Sequence, residues 1–219
     1  MAQITLVRHG QANSGSQDEH GYDKLSALGH EQAAWLGDHM RATQQHFDSV
    51  WCGTLRRHAE TAQGMKAQEF APIEQDARLN ELAYFDLSKS YEALSGEPLP
   101  TTREGFVVQM PKLMRAWQED RLQNVPESFA AFEDRVLGAL HDISARSDRA
   151  LVVTSGGLIG MVTRHVMGLD VEAYARTCLA IMNSSTHRVV RVADQLNLSQ
   201  FNNISHLEDI GRHHAQTYI

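Results

Sequence analysis

Apolar and polar positions along this chain follow first one period and then another, and the switches between them mark out most of its elements. Ile4-Thr5-Leu6-Val7 is apolar and β-prone, then turns cationic and flexible at Arg8-His9-Gly10. Such a pattern predicts a buried strand that delivers side chains at its C-terminal edge. Gln11 to Lys24 is polar and glycine-bearing, which predicts a loop long enough to fold over a site. Ser26 reads as the N-cap of a helix whose apolar face carries Leu25, Leu28, Trp35, Leu36 and Met40. Phe47 to Cys52 predicts a second strand, Leu55 to about Gln68 a second helix, and Pro72-Ile73-Glu74 a third strand. This β-α-β-α-β order predicts a mostly parallel sheet covered on both faces.

The middle of the chain breaks that rhythm. From about Leu82 to Val125 there is no strand pattern, and Phe106, Val107, Met110, Leu113, Met114 and Trp117 recur at helical spacing. Pro111 falls inside this stretch and predicts a kink. A stripe of Met and aromatic residues of this kind is more often core than ligand site. Ser128 then caps a regular helix, and Ala150-Leu151-Val152-Val153-Thr154 is an unbroken apolar run suited to a sheet centre. It ends at Ser155-Gly156-Gly157 and enters a helix that stops at Gly168. Thr186 to Val192 and Leu196 to Phe201 predict a closing pair of edge strands, and the polar tail from His206 predicts a loosely held end. The architecture expected is an α/β fold: a three-layer α/β/α sandwich with a mostly parallel central sheet. A helical insertion at about 82–127 should lie over the C-terminal strand edge.

Composition narrows the function classes. A length of 219 residues fits one sizeable core with an insertion. The net charge of −7, with no Lys/Arg-rich run, argues against nonspecific nucleic-acid binding. Cys52 and Cys178 stand far apart, with no C-x-x-C or clustered Cys/His spacing, so neither a disulfide framework nor a structural metal site is expected. A strand beginning by residue 3 leaves no room for a signal peptide, and no apolar run reaches membrane length, so a cytoplasmic soluble protein is expected.

Chemistry-bearing residues gather at four strand ends or helix starts. His9 offers a nucleophilic imidazole beside Arg8, whose planar fork suits a phosphate, and Gly10 permits close approach. Arg57 falls in the first turn of a helix directly after a strand, where both the guanidinium and the helix N-terminus favour phosphate. Arg56, His58 and Glu60 flank it, and each is expected to face solvent. Glu81 closes Arg78-Leu79-Asn80-Glu81, just past the third strand, where a carboxyl could act as a general acid. Ser155-Gly156-Gly157 leaves backbone N–H groups open at another helix N-terminus. In a parallel sheet these edges are where ligands bind.

The ordered set resembles the histidine phosphatase superfamily, also called the phosphoglycerate-mutase-like fold. The segments that carry the resemblance are Leu6-Val7-Arg8-His9-Gly10, Leu25-Ser26-Ala27-Leu28-Gly29 with Gln32-Ala33, Leu55 through Arg57 to Thr61-Ala62, and Leu79 through Glu81. The apolar strand into Gly156-Gly157 and Asn183 complete it. The resemblance implies one domain of this type over residues 1–219. It implies that His9 is transiently phosphorylated, that Arg8 and Arg57 hold phosphoryl oxygens, and that Glu81 protonates the leaving oxygen and later activates water. It implies no metal and no organic cofactor. Gly156 and Ser155 would touch the phosphate.

Two departures stand out. Family members usually carry a second catalytic histidine immediately before the Gly-Gly, and here that position is Ser155. Either Ser155 with nearby backbone N–H groups suffices, or another group fills the space, or catalysis is feeble. His165 and His187 are conceivable stand-ins, although one falls late on its helix and the other opens a strand. The Trp-Asn usual after the first histidine in mutases is also missing; Gly15 occupies the aligned place, and Asn13 is a polar candidate for phosphate contact. The expected function is a phosphomonoesterase acting on a small phosphorylated metabolite. The alternatives are a phosphoglycerate-type mutase and a phosphate-ligand binding protein with weak or lost catalysis. The expected partner is that small substrate, without nucleic acid or membrane, and a homodimer is left open.

Overall fold

In the computed structural model, which describes residues 2–13, 16, 18–193 and 195–218, the apolar runs become a six-stranded sheet. The chain opens with β1 (Gln3–Arg8), a one-turn α1 (Glu19–Tyr22), α2 (Ala27–Ala42), β2 (Ser49–Cys52), α3 (Arg56–Gly64) and β3 (Ile73–Gln75). It continues with α4 (Tyr84–Ser95), α5 (Arg103–Gln118), α6 (Phe129–Arg146), β4 (Arg149–Thr154), α7 (Gly156–Met167) and α8 (Val171–Ala180). The strands β5 (Thr186–Val192) and β6 (Gln195–Asn203) follow, before two 3-10 turns in the tail. Sheet order is β3-β2-β4-β1-β5-β6. The first four strands run parallel, while β5 is antiparallel to β1 and β6 to β5.

Burial on both faces explains why β1 and β4 are apolar without interruption. Ile4 and Leu6 of β1 and Ala150 and Val152 of β4 join a large core with α5, α6, α7 and α8. Val7, Leu151 and Val153 point the other way, onto a smaller core with Ala33, Leu36 and Met40 of α2 and Ala62 of α3. Each such fully buried Val, Leu, Ile or Met side chain stabilises the fold by about 1.5–3 kcal/mol. The caps follow the pattern: the hydroxyls of Ser26 and Ser128 accept from the N–H of Gly29 and Ala131, and Gly168 closes α7 at a φ of 64°.

Four expectations change. The insertion holds two helices, α4 and α5, where the pattern marked only one, the helix that carries Pro111. The helix α8 had no counterpart in the sequence pattern; it packs on α5 and α7. Of the closing strands only β6 is an edge, because β5 pairs with β1 on its other side. The tail is not loosely held. Leu207 and Ala215 are fully buried, Gln32 Nε2 donates to the Ala215 carbonyl at 2.7 Å, and the N–H of Asn183 donates to the Thr217 carbonyl at 2.8 Å. A few apolar side chains and two buried amides anchor this polar stretch.

Candidate active site

His9 is the first residue past β1, and its backbone is pinned on both sides. Its N–H donates to the Thr154 carbonyl of β4 at 2.9 Å, and its carbonyl accepts from Ser184 at 3.2 Å. The imidazole Nδ1 lies 2.7 Å from the Gly10 carbonyl, which can only accept, so Nδ1 carries the proton and Nε2 keeps a free lone pair. Burial, then the charges of Arg57 and Arg8, hold this imidazole well below the usual histidine range. A neutral imidazole with one defined lone pair is a nucleophile. Gly10 serves the fold: a Cβ there would lie 2.3 Å from the Gly29 carbonyl oxygen, at the start of α2. Thr61 of α3 ties the same turn down, accepting from the Gly10 N–H at 3.1 Å while donating to the Arg57 carbonyl at 2.7 Å.

The start of α3 is occupied from within. Asp23, at the end of the loop after β1, accepts from the backbone N–H of Arg56 and Arg57 at 3.0 and 3.2 Å and from Arg57 Nη1 at 3.0 Å. The helix N-terminus expected to meet phosphate therefore meets a carboxylate of the chain itself. Arg57 is 1% exposed, with its guanidinium 5.0 Å from the ring centre of Tyr22. Arg56 is exposed as expected, but Glu60 is not simply solvated: it accepts from the Leu25 N–H at 2.8 Å and from Arg56 Nε at 2.6 Å.

The expectation for His58 is overturned outright. Its side chain is fully buried, and its Nε2 lies 2.5 Å from Ser155 Oγ. Its ring centre is 5.8 Å from that of His9. Helical periodicity placed it on a different face from Arg57, but that face packs on the end of β4 rather than on water.

Glu81 sits against the start of α7. One carboxylate oxygen accepts from the Gly157 N–H at 3.1 Å and the other from the Leu82 N–H at 3.0 Å. Burial outweighs these bonds and the nearby Arg57 and Arg8, so its carboxyl is pushed above the usual range and toward the protonated form. A Cβ at Gly157 would lie 2.3 Å from Glu81 Oε1, so this glycine makes the seat possible. Arg135 of α6 fixes the loop beneath, donating to the carbonyls of Arg78 and Asn80 at 2.8 Å and of Glu81 at 3.2 Å.

Arg8, Arg57, Glu81, Gly156 and Gly157 line one cavity of about 820 Å³. Arg8 donates through Nη1 to the Ile181 carbonyl, and its Nε is buried without a hydrogen-bond partner. Tyr22, Tyr84, Phe85, Phe106 and Met110 also line it, so Phe106 and Met110 of the α5 stripe border the cavity while packing with the large core. Asn13 is not brought there; its amide donates to the Gly21 carbonyl at 3.0 Å within its own loop. Gly15 lies outside the described residues. His187 is fully buried and bonded to Ser185 Oγ at 2.9 Å, and His165 lines a different cavity, between α6, α7 and the β5–β6 hairpin. Among the described residues no cluster of three or more His, Cys, Asp or Glu side chains could hold a metal ion, and no helix is long and apolar enough to cross a membrane.

The sequence model of the histidine phosphatase superfamily (branch 1) matches residues 4–204. The chain belongs to this superfamily. Among solved structures of similar fold is a phosphoserine phosphatase mutant from Entamoeba histolytica in complex with phosphoserine. It is 17% identical, covers 94% of this chain and 100% of that one, and gives a TM-score of 0.69. A phosphoglycerate mutase from Bacillus anthracis is 20% identical over 94% of each chain, with a TM-score of 0.69. A mycobacterial glucosyl-3-phosphoglycerate phosphatase is 22% identical over 92% of this chain and 99% of that one, at 0.64. A search of curated proteins by sequence gave no match.

Within this histidine phosphatase superfamily member, the sequence missed Asp23, Arg135 and His58. Asp23 and Arg135 carry no local signal, since each acts on a segment remote in sequence. His58 had a weak one: a histidine directly after a first-turn arginine, in a chain whose usual second histidine is absent.

Proposed function

We propose that this protein is a phosphomonoesterase that acts on a small phosphorylated metabolite through a phosphohistidine at His9. The observation that carries the reading is that Arg8, Arg57 and Glu81 line one cavity while His9, the residue after Arg8, lies within the field of both arginines and 6.5 Å from the ring of the cavity-lining Tyr22, and burial shifts the Glu81 carboxyl toward its acid form. In the first step Nε2 attacks phosphorus, the P–N bond forms and the bond to the leaving oxygen breaks, while Glu81 gives that oxygen its proton. In the second, water attacks the phosphohistidine, Glu81 takes the proton from water, and phosphate leaves with His9 restored. Arg8 and Arg57 bind the equatorial oxygens, where charge stabilisation is most of what a protein supplies to phosphoryl transfer.

The cavity supports hydrolysis rather than phosphoglycerate mutation. Beyond the phosphate end its walls are largely aromatic and apolar, with Arg103 the cation contributed by α5 and Glu92 the carboxylate contributed by α4. A leaving group with an apolar or aromatic body suits these walls better than a second anionic group does. The insertion carrying α4 and α5 is proposed to cap the site and select this group. A cytoplasmic location is part of the same proposal, and the net charge of −7 leaves nucleic acid outside it.

A panel of aryl and alkyl phosphomonoesters, phosphoserine and 3-phosphoglycerate tests the reading. Phosphate release is expected, faster for the apolar esters, with an acid-labile, alkali-stable labelled adduct that disappears in His9→Ala. No release from any ester, or equal labelling of His9→Ala, would overturn it; retained phosphate binding without release would identify a binding protein instead.

A further inference from the structure

We propose that Ser155 and His58 together form the phosphoryl-oxygen donor on the β4 side of the site, with Ser155 in contact with substrate and His58 the residue that positions its hydroxyl. The inference rests on the phosphatase reading and concerns how the chain works without a histidine at the end of β4.

The placement comes from the sheet. Arg8 and Thr154 are paired in register on neighbouring parallel strands, and the His9 N–H bonds the Thr154 carbonyl. The next residue on each strand is therefore His9 on one side and Ser155 on the other. Ser155 is fully buried and is followed by the two glycines that line the cavity. A serine at a helix N-cap ordinarily turns its hydroxyl onto its own helix, yet Ser155 makes no side-chain cap bond to α7. The hydroxyl meets His58 Nε2 at 2.5 Å instead.

The direction of that bond follows from what His58 lacks. Its Nδ1 is buried with no hydrogen-bond partner, and burial together with Arg57 keeps the ring neutral. A neutral imidazole has a single N–H. On Nδ1 that proton would be an orphaned buried donor, which native structures almost never tolerate; a lone pair there costs less. The tautomer with the proton on Nε2 donates to Ser155 Oγ, which leaves the serine hydroxyl hydrogen free for an anion. The chain also makes room for this ring: a Cβ at Gly53 would lie 2.2 Å from His58 Nδ1. An imidazole thus serves the β4 side from α3, with Ser155 extending its reach.

The test measures kcat and KM for p-nitrophenyl phosphate, together with binding of inorganic phosphate by calorimetry. Wild type is compared with Ser155→Ala, His58→Leu, His58→Gln and the Ser155→Ala/His58→Leu double variant, each checked for its melting temperature. Ser155→Ala and His58→Leu are each expected to lower kcat by about 10- to 100-fold, a large part of what one preorganised donor supplies, with a smaller change in KM. The double variant should be no slower than the worse single, since the two act as one unit. His58→Gln, whose amide can still donate to the serine, should recover much of the loss seen in His58→Leu. Wild-type kcat and phosphate affinity in Ser155→Ala would overturn the proposal. So would losses that multiply in the double variant, or a His58→Gln as slow as His58→Leu. If wild type releases no phosphate, the phosphatase reading falls on its own. Phosphate binding then decides the donor: weaker binding in Ser155→Ala supports it and unchanged binding removes it.

Discussion

The ends of β1 and β4 lie side by side in the sheet and solve the same problem in different ways. At β1 the imidazole belongs to the strand itself: His9 is held by a 2.7 Å bond to the carbonyl of its own neighbour, Gly10. At β4 the strand carries only a hydroxyl, and the imidazole of His58 comes from α3, 97 residues away in sequence. The first arrangement is local and leaves Nε2 open for attack. The second is tertiary and leaves a hydroxyl hydrogen open for donation. A strand edge therefore sets where a group must stand, while packing sets which element supplies it.

The comparison breaks most completely at His9. His9→Ala should lower turnover by at least about 10⁴-fold and abolish the labelled adduct, as removal of a nucleophile does. The β4 variants should slow the enzyme yet still form the adduct. If His9→Ala retained a tenth of wild-type turnover, His9 would not be the nucleophile.

Glu81 is shared between the two sides, since it bonds the Gly157 N–H on the helix after β4 and lies within the field of Arg8. Glu81→Gln should cost about 10²- to 10³-fold with alkyl phosphates, within the usual worth of general acid–base catalysis. With p-nitrophenyl phosphate, whose leaving oxygen needs no proton, the first step should be nearly unaffected. A burst experiment that shows equal slowing for both ester classes would rule out the acid role.

Gly53→Ala attacks the β4 side through His58 and also crowds Asn80 Oδ1, at 2.6 Å. The added methyl would lie 2.2 Å from His58 Nδ1 and must displace the ring, at a cost of about 1–3 kcal/mol. A melting temperature lower by several degrees is expected, with slower turnover and intact labelling of His9. Unchanged melting and turnover would mean that His58 has another place to go.

The last test reads both imidazoles through pH. His9 and His58 are both held well below the ordinary histidine value, first by burial. Below about pH 6.5 the unfolded chain binds protons that the folded chain does not, so stability falls as pH drops, by at most about 1.4 kcal/mol per pH unit for each such histidine. Denaturant titrations between pH 6.5 and 4.5 should show that slope reduced by about this amount in His58→Leu, and equally in His9→Ala. A slope that stays unchanged in His58→Leu would mean that His58 takes up its proton in the fold.

Much of this molecule was legible in one dimension. The strands β1 and β4, the caps at Ser26 and Ser128 and the stop at Gly168 depend on short-range patterns, as does the placing of Arg8, His9, Arg57 and Glu81 at strand ends and helix starts. Backbone sterics and apolar periodicity act within a few residues, so the sequence by itself determined these. It did not determine that Asp23 would occupy the N-terminus of α3, or that a polar tail would be anchored through Gln32 and Asn183. Nor did it show that His58 would leave water for Ser155. Each of those outcomes is a hydrogen bond between segments distant along the chain. Burial creates the need for such a bond, because a polar group removed from water must find a partner. Which partner it finds depends on how the helices seat against the sheet, and that only the tertiary structure decided.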